Sequence, residues 1–298
     1  MEKPAEFDHR INWLGSLPFV AVHVGAVAGV VLLGWSWKGL ALAIALYVVR
    51  MFFVTAGYHR YFSHKSFRTS RAMQLVFAVG AQSSSQKGVL WWASHHRRHH
   101  KFSDQAGDVH SALRDGFLWS HVGWVLAHDT QATETQRVRD LTDYPELVWL
   151  NDWWWTPPAL LGVGSFLVGG WFGLVWAFLV STTLVWHGTF TINSLTHAFG
   201  SRRYATTDDS RNNALLALLT LGEGWHNNHH YYQRSVRQGF YWWEVDVSYY
   251  VLRLMALVGL VWDLHLPSER VRRGEKVGPM VVEAPAGPTA PAEPSPAE

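Results

Sequence analysis

Residues 40–64 read LALAIALYVVRMFFVTAGYHRYFSH, an apolar run that passes without a break into two histidines. A helix needs about 20 predominantly apolar residues to cross the hydrocarbon layer of a bilayer, somewhat fewer when neighbours cover its ends. Residues 40–57 meet that length with one charge inside, Arg50. His59 and His64 then stand where such a helix leaves the lipid. Working outward, residues 17–33 form another apolar run, with His23 inside it, and GWSWKG (residues 34–39) joins the two as a tight external turn. Residues 158–198 are long enough for two further helices, interrupted by Gly162, Gly164, Gly169 and Gly170, with a turn near Gly169. The expectation is an all-α integral membrane protein. Its four transmembrane helices, about 17–33, 40–57, 158–176 and 178–198, pair as two hairpins.

Two hairpins put both termini and the middle segment on one side. The turn near Trp37 has a single Lys and the turn near Gly169 has no Lys or Arg, whereas residues 58–155 carry Arg60, Lys65, Arg68, Arg71, Lys87, Arg97, Arg98 and Lys101. Lys and Arg concentrate on the cytoplasmic side. The middle segment and both termini are therefore expected in the cytoplasm, with a helical cap over residues 58–156 and 199–266 completing a membrane domain of residues 1–266. Composition agrees: 48% hydrophobic, 16% charged and 18 Trp suit a lipid–water interface and exclude a disordered chain. The N-terminus lacks the basic-then-apolar pattern of a removable signal peptide. Residues 267–298 are rich in Pro, Ala and Glu and are expected to be disordered. Residues 73–84 run into QSSSQKG, too polar to cross. Residues 247–264 are apolar nearly all round with Arg253 inside; a fifth span there would carry the acidic tail across the membrane, so an interfacial helix on the cap fits better. Arg50 calls for a lipid headgroup, a buried polar partner or a different helix boundary.

Cys is absent and His numbers 17. Disulfides, thiolate zinc sites, iron–sulfur clusters and a Cys nucleophile are thereby excluded. The histidines concentrate in HRYFSH (residues 59–64), HHRRHH (95–100), NSLTH (193–197) and GEGWHNNHH (222–230), all near the expected cytoplasmic face. His96, His99 and His100 stand at i, i+3 and i+4 and share one helical face; His226, His229 and His230 repeat the pattern, and Asn193 and His197 are one turn apart. His59 and His64, five apart, cannot face the same way on a regular α-helix and suit a helix end. Counting His96 but not His95, nine imidazoles and one amide exceed what one tetrahedral zinc uses. They match two ions, each with four or five nitrogen ligands and an open position. Imidazole suits iron, zinc, copper and nickel; an open, redox-capable pair beside lipid favours iron and dioxygen. His9, His23, His187 and His265 read as isolated surface or core residues. Glu223, Asp104 and Asp108 flank the clusters, either holding imidazole tautomers or simply solvated.

HRYFSH, HRRHH and HNNHH with the NxxxH of Asn193 and His197, together with TAGYHR (55–60), SHVGW (120–124) and GEGWHNNHH, resemble the membrane fatty-acyl desaturases of the stearoyl-CoA type, and most of all their bacterial branch. The likeness runs from the first span to Leu266. It implies four membrane helices under a cytosolic cap holding a di-metal site, a bent acyl tunnel and the bacterial inner membrane as location. It implies two iron ions, dioxygen as co-substrate, and a cis double bond set into a saturated chain, usually at the ninth carbon of an acyl-CoA; an acyl lipid is the other carrier. Carried onto this chain, the ligands are His59, His64, His96, His99, His100, His197, His226, His229 and His230, with Asn193 through water. An unactivated methylene has no acidic proton, so the cofactor must carry hydrogen abstraction while the protein positions one C–C bond beside it.

Candidate substrate contacts are Lys87, Trp92, Arg97, Trp186 and Trp225. The Trp residues, Trp91 among them, either line the tunnel or anchor at the interface. Lys87, Arg97 and Arg98 either bind CoA phosphates or meet headgroups or a redox partner. Ser94 and His95 depart from the Arg and Asp of the animal enzymes. With no Cys for a fused ferredoxin-like module, electrons are expected from a separate ferredoxin, rubredoxin or b-type cytochrome docking on the basic face; nucleic acid is not an expected partner. Two other readings share these motifs. One is a di-iron lipid or alkane hydroxylase. The other is a multi-pass metal transporter, which would need ionisable groups within its spans, where the candidates are His23, Arg50 and His187.

Overall fold

Asn12 opens the first long helix: its side chain accepts from the Gly15 amide at 2.9 Å, and α1 (Trp13–Leu33) then runs to Gly34, whose φ of 78° ends it. The computed structural model describes residues 7–275. Ser36 caps α2 (Trp37–Phe52), which continues unbroken into a wider-turned π segment, Phe53–Ser63. Among the described residues three runs are long and apolar enough to cross a membrane: Trp13–Leu33, Trp37–Ser63 and Thr156–Ser194. The last is not one rod. Gly170 takes φ 57° and ψ −148°, a conformation foreign to a helix and open to glycine, and so breaks the helix Thr156–Gly173. The chain then packs back through Leu174–Val180 into the helix Ser181–Ser194. The turn expected near Gly169 thus falls one residue later.

Small residues let these helices approach closely. A Cβ on Gly29 would lie 2.4 Å from Val175, and one on Gly39 2.4 Å from the Trp176 ring. Both α1 and α2 therefore seat on Leu174–Val180 through glycine, the usual device where lipid supplies no hydrophobic drive between helices. Arg50 has a buried polar partner, and more than one. Arg50 is 2% exposed, and its guanidinium donates to Ser181 Oγ (2.6 Å), Thr182 Oγ1 (2.9 Å) and the Ser83 carbonyl (3.1 Å).

The cap begins with α3 (Arg71–Gln82), packed on Phe53–Ser63, and α4 (Val89–Phe102). Tyr58, Phe62, Phe67, Phe77, Leu90 and Leu252 form its shared core. The apolar stretch after Asp246 makes an 11-residue helix, Val247–Leu257. At 1.5 Å per residue this is only about 16 Å long, too short to cross. It leads into Val261–Trp262, paired antiparallel with Arg68–Thr69, so it packs beside the residues that follow Phe53–Ser63 and is not among the three runs of crossing length. Residues 267–275, expected from composition to be disordered, are held in place. Ser268 caps a helical turn, Glu269–Arg272, whose Val271 is buried against Tyr204 and Phe240. The Tyr204 and Tyr241 hydroxyls donate to the Arg272 carbonyl at 2.9 and 2.8 Å. One apolar side chain and these phenols suffice to hold a segment that is otherwise polar. The remainder of the expected tail, 276–298, lies outside the described residues.

Candidate metal centre

The π segment resolves the spacing of the first histidine pair. The His64 amide donates to the His59 carbonyl at 3.2 Å, an i→i+5 bond. Each such turn is one residue longer than in an α-helix, so a five-residue separation returns to the same face. The two rings lie 4.8 Å apart. On α4 the i, i+3, i+4 pattern does what its period requires. The start of α4 is fixed by side-chain oxygens, Gln82 Oε1 on the Val89 amide (3.1 Å) and Asn151 Oδ1 on the Trp91 amide (2.9 Å). The last cluster sits on the short helix His226–Tyr231. Its two central asparagines are fully buried supports. Asn227 Oδ1 accepts from the Arg203 and Tyr204 amides (2.8 and 2.7 Å), while Asn228 Nδ2 donates to the Gln238 carbonyl and to Glu244, both at 2.9 Å.

Packing sorts the nine histidines into two groups that cut across the sequence clusters. His59, His64, His96, His100 and His229 form one; His99, His197, His226 and His230 form the other. Within each, the ligand atoms lie within 4.8 Å of one another. In the first group Nε2–Nε2 separations are 3.0 Å for His59–His229, 2.8 Å for His64–His96, 3.0 Å for His96–His100 and 2.9 Å for His100–His229. In the second, His197 and His226 are 3.1 Å apart. Neighbouring ligands of one ion at bonds of about 2.1 Å are separated by about 3 Å. His99 Nε2 and His230 Nε2 are buried with no hydrogen-bond partner among the described residues, as lone pairs awaiting a Lewis acid would be. The residues fit a pair of metal ions.

Carboxylates hold the far side of four rings. Nδ1 of His197 donates to Asp104 (2.8 Å), of His99 to Asp108 (2.9 Å), of His230 to Asp208 (2.7 Å), and of His59 to Glu223. Each fixes the tautomer so that Nε2 carries the lone pair facing the group. Against burial, which pushes carboxyls up, their imidazoles hold Asp108 down to about 2 and Asp104, Asp208 and Glu223 below the usual carboxylate range. Burial and then the neighbouring rings push His96, His100, His226 and His229 well below the ordinary imidazole range; neutral imidazole is the form a metal binds. At His99 burial is outweighed by Asp108 and the net shift is upward.

Asp208 escaped the sequence reading because it sits far along the chain from its histidine, with no spacing that marks it. His110 escaped too: it stacks on His99 at 4.2 Å between ring centres and forms a smaller group with Asp108. Asp108 and Asp104, flagged by proximity to the second cluster, hold His99 and His197.

A cavity of about 600 Å³ opens beside these groups. Lys87, Trp91, Trp92, Trp186, His96 and Asn193 all line it. Trp92 stacks on His96 (4.9 Å), and Gln86 links its indole (3.3 Å) to Thr189 (2.9 Å). Two candidate contacts lie elsewhere. Trp225 is not among the lining residues; its indole donates to the Val245 carbonyl at 2.8 Å. Arg97 is occupied within the cap: it pairs with Asp140 (2.6 Å) and donates to the carbonyls of Phe62 (2.6 Å), Ser63 (3.1 Å) and Arg137 (2.8 Å). Arg98 likewise pairs with Glu134 at 2.8 Å. His23 and His187 are not isolated. His23 Nε2 meets His187 Nε2 at 3.1 Å, and His187 Nδ1 meets His121 Nε2 at 3.0 Å.

Helices of membrane length and two carboxylate-braced histidine groups beside an apolar cavity are the features of a membrane enzyme with a His-ligated metal centre. The fatty acid desaturase family model matches residues 10–262. The chain is 37% identical over 259 residues to an sn-1 stearoyl-lipid 9-desaturase of Synechocystis, covering 86% of this chain and 81% of that one. It is 35% identical over 243 residues to an acyl-CoA 5-desaturase of Anemone leveillei (80% and 75% covered). It is 34% identical over 242 residues to delta-9 acyl-lipid desaturase 1 of Arabidopsis thaliana (80% and 79%). The chain belongs to the fatty acid desaturase family, and is an oxidoreductase acting on fatty acyl chains.

Proposed function

We propose that this enzyme sets a cis double bond at the ninth carbon of a saturated acyl chain while that chain is esterified to a membrane lipid. The observation that carries the reading is the pair of braced histidine groups opening on one apolar cavity. His59, His64, His96, His100 and His229 would hold one iron, and His99, His197, His226 and His230 the other, with Asn193 reaching the site through water. When bound, the irons supply dioxygen activation and hydrogen abstraction. The chain's own residues do the rest: the carboxylates fix ligand tautomers, and Trp92 and Trp186 wall the cavity. Gln86 and Thr189 bridge it beside the metal groups, so the acyl chain is held dry and in register.

Two observations favour a lipid carrier over CoA. Ser94 and His95, where animal relatives place charges, are buried here at 0% and 3% exposure. Arg97 and Arg98, the cations near them, are spent on Asp140 and Glu134. The relatives act on different carriers by name, acyl-lipid in two cases and acyl-CoA in one. Family alone therefore leaves the carrier open. The break at Gly170 supports four crossings in two hairpins, with cap and termini in the cytoplasm as the Lys and Arg distribution requires. Electrons come from a separate donor protein on that side.

The test is expression in a host without its own desaturase, followed by lipid-class-resolved gas chromatography with mass spectrometry. A 9-ene in intact glycerolipid, formed before any change in the acyl-CoA pool, is the expected product. A hydroxylated chain without an alkene would overturn the desaturase reading in favour of a hydroxylase.

A further inference from the structure

The cavity holds a cation without an acid. Lys87 lines it, with Nζ bonded to Gln131 Oε1 and 5.3 Å from the centre of the Trp91 ring. The Gln131 amide is itself spent on the Val125 and Ala127 carbonyls, which turns its oxygen toward the lysine. Among the described residues no carboxylate pairs with Lys87, and burial pushes its ammonium down to about 8. An ammonium has three donors, so two remain for a ligand. A half-buried charge with one neutral partner is costly to hold unless ligand oxygens complete it.

Two helix starts contribute to the lining of the same cavity. One is the beginning of α1, with Gly15, Pro18 and Phe19; the other is the beginning of the helix Thr156–Gly173, with Trp155, Pro158 and Ala159. Along its length α1 packs mainly on Leu174–Val180, the returning arm of that hairpin. At the level where both helices start, the cavity stands between α1 and the outgoing arm. Trp13, Trp153 and Trp155 are exposed at this level, by 78%, 49% and 50%. Exposed indoles at helix starts mark headgroup depth, so the gap faces the boundary between headgroups and acyl chains.

We propose that the gap between the first turns of α1 and of Thr156–Gly173 is a lateral portal for a lipid-linked acyl chain, and that Lys87 binds the ester and headgroup oxygens of that lipid. This rests on the lipid-carrier reading above. Entry from the side lets the chain pass from bilayer to cavity without its hydrocarbon crossing water.

Because the chain has no Cys, single thiols test the portal directly. The probe is phosphatidylglycerol with a diazirine in its sn-1 stearoyl chain, in nanodiscs, and the readout is the yield of cross-links to cavity residues, which needs no turnover. Lys87→Met should lower that yield about tenfold, the loss of one charge-assisted contact, and Ala159→Cys blocked with N-phenylmaleimide should lower it at least as far by filling the gap. Lys87→Arg should keep most of it. Val163→Cys, one turn farther on and 58% exposed, should be unaffected by the same reagent. Wild-type yields in both Lys87→Met and blocked Ala159→Cys would overturn the portal even where lipid-linked stearate is desaturated. Displacement of the lipid by inorganic phosphate would make Lys87 a free-anion site and overturn its assignment. Wild-type enzyme that desaturates stearoyl-CoA but never lipid-linked stearate would instead overturn the carrier reading.

Discussion

Asp208→Asn separates the support of the metal site from the fold. Asp208 Oδ2 accepts from His230 Nδ1 at 2.7 Å, while Oδ1 accepts from the Ser210 amide at 3.0 Å. Asparagine keeps a carbonyl for Ser210 but puts an NH₂ group where the imidazole donated, so one charge-assisted bond is lost with little change in shape. Such a bond contributes about 1.5–3 kcal/mol net, a factor of about 10–150 in an equilibrium constant. Loss of partners of this kind typically weakens metal affinity about 10–100-fold. Chelator titration of the iron-loaded enzyme, with iron per chain read by elemental mass spectrometry, should therefore show one of two ions released at about 10–100-fold lower chelator. Asp209→Asn, on the neighbouring carboxylate that pairs with Arg202 at 3.1 Å, should leave the curve in place. Superimposable curves for Asp208→Asn and wild type would refute the idea that this carboxylate orients a metal-binding imidazole.

Arg50→Met should lower stability by about 1–3 kcal/mol, since it removes the donor that serves the Ser83 carbonyl and the Ser181 and Thr182 hydroxyls; an unchanged unfolding temperature in detergent would show that the guanidinium ties nothing together. Burial holds His95 down at about 4, whereas an unfolded chain protonates it near 6.5. The unfolded state then binds the extra proton between about pH 6.5 and 4, so stability must fall as pH drops through that window. His95→Leu should make this acid slope shallower by about one proton in metal-free protein, the other depressed imidazoles keeping the rest, and an identical slope would show that His95 contributes nothing to it. Ending the chain at Leu266 removes the buried Val271, worth about 1.5–3 kcal/mol, and should depress the unfolding temperature. Ending it at Glu275 should not; equal temperatures for the two truncations would show that Glu269–Arg272 adds no stability.

What the sequence determined by itself is local and periodic. Apolar length marked the spans, and the i, i+3, i+4 spacing on residues 96–100 and 226–230 marked two triplets of imidazoles, because a helical repeat is written into neighbouring residues. Where the reading failed, the missing information was long-range or conformational. A five-residue spacing is uninformative until Phe53–Ser63 takes up π turns. Arg97 looked available for substrate because Asp140, its partner, lies 43 residues away. Residues 267–275 looked disordered because their anchor, Tyr204, comes from a distant loop.

Tertiary structure alone decided the partition of the histidines. His100 joins His59, His64, His96 and His229, while its neighbour His99 turns to His197, His226 and His230. Adjacent residues on a helix point about 100° apart, so one turn of α4 can serve two ions, and which imidazoles meet each is set by helices packed from the other end of the chain.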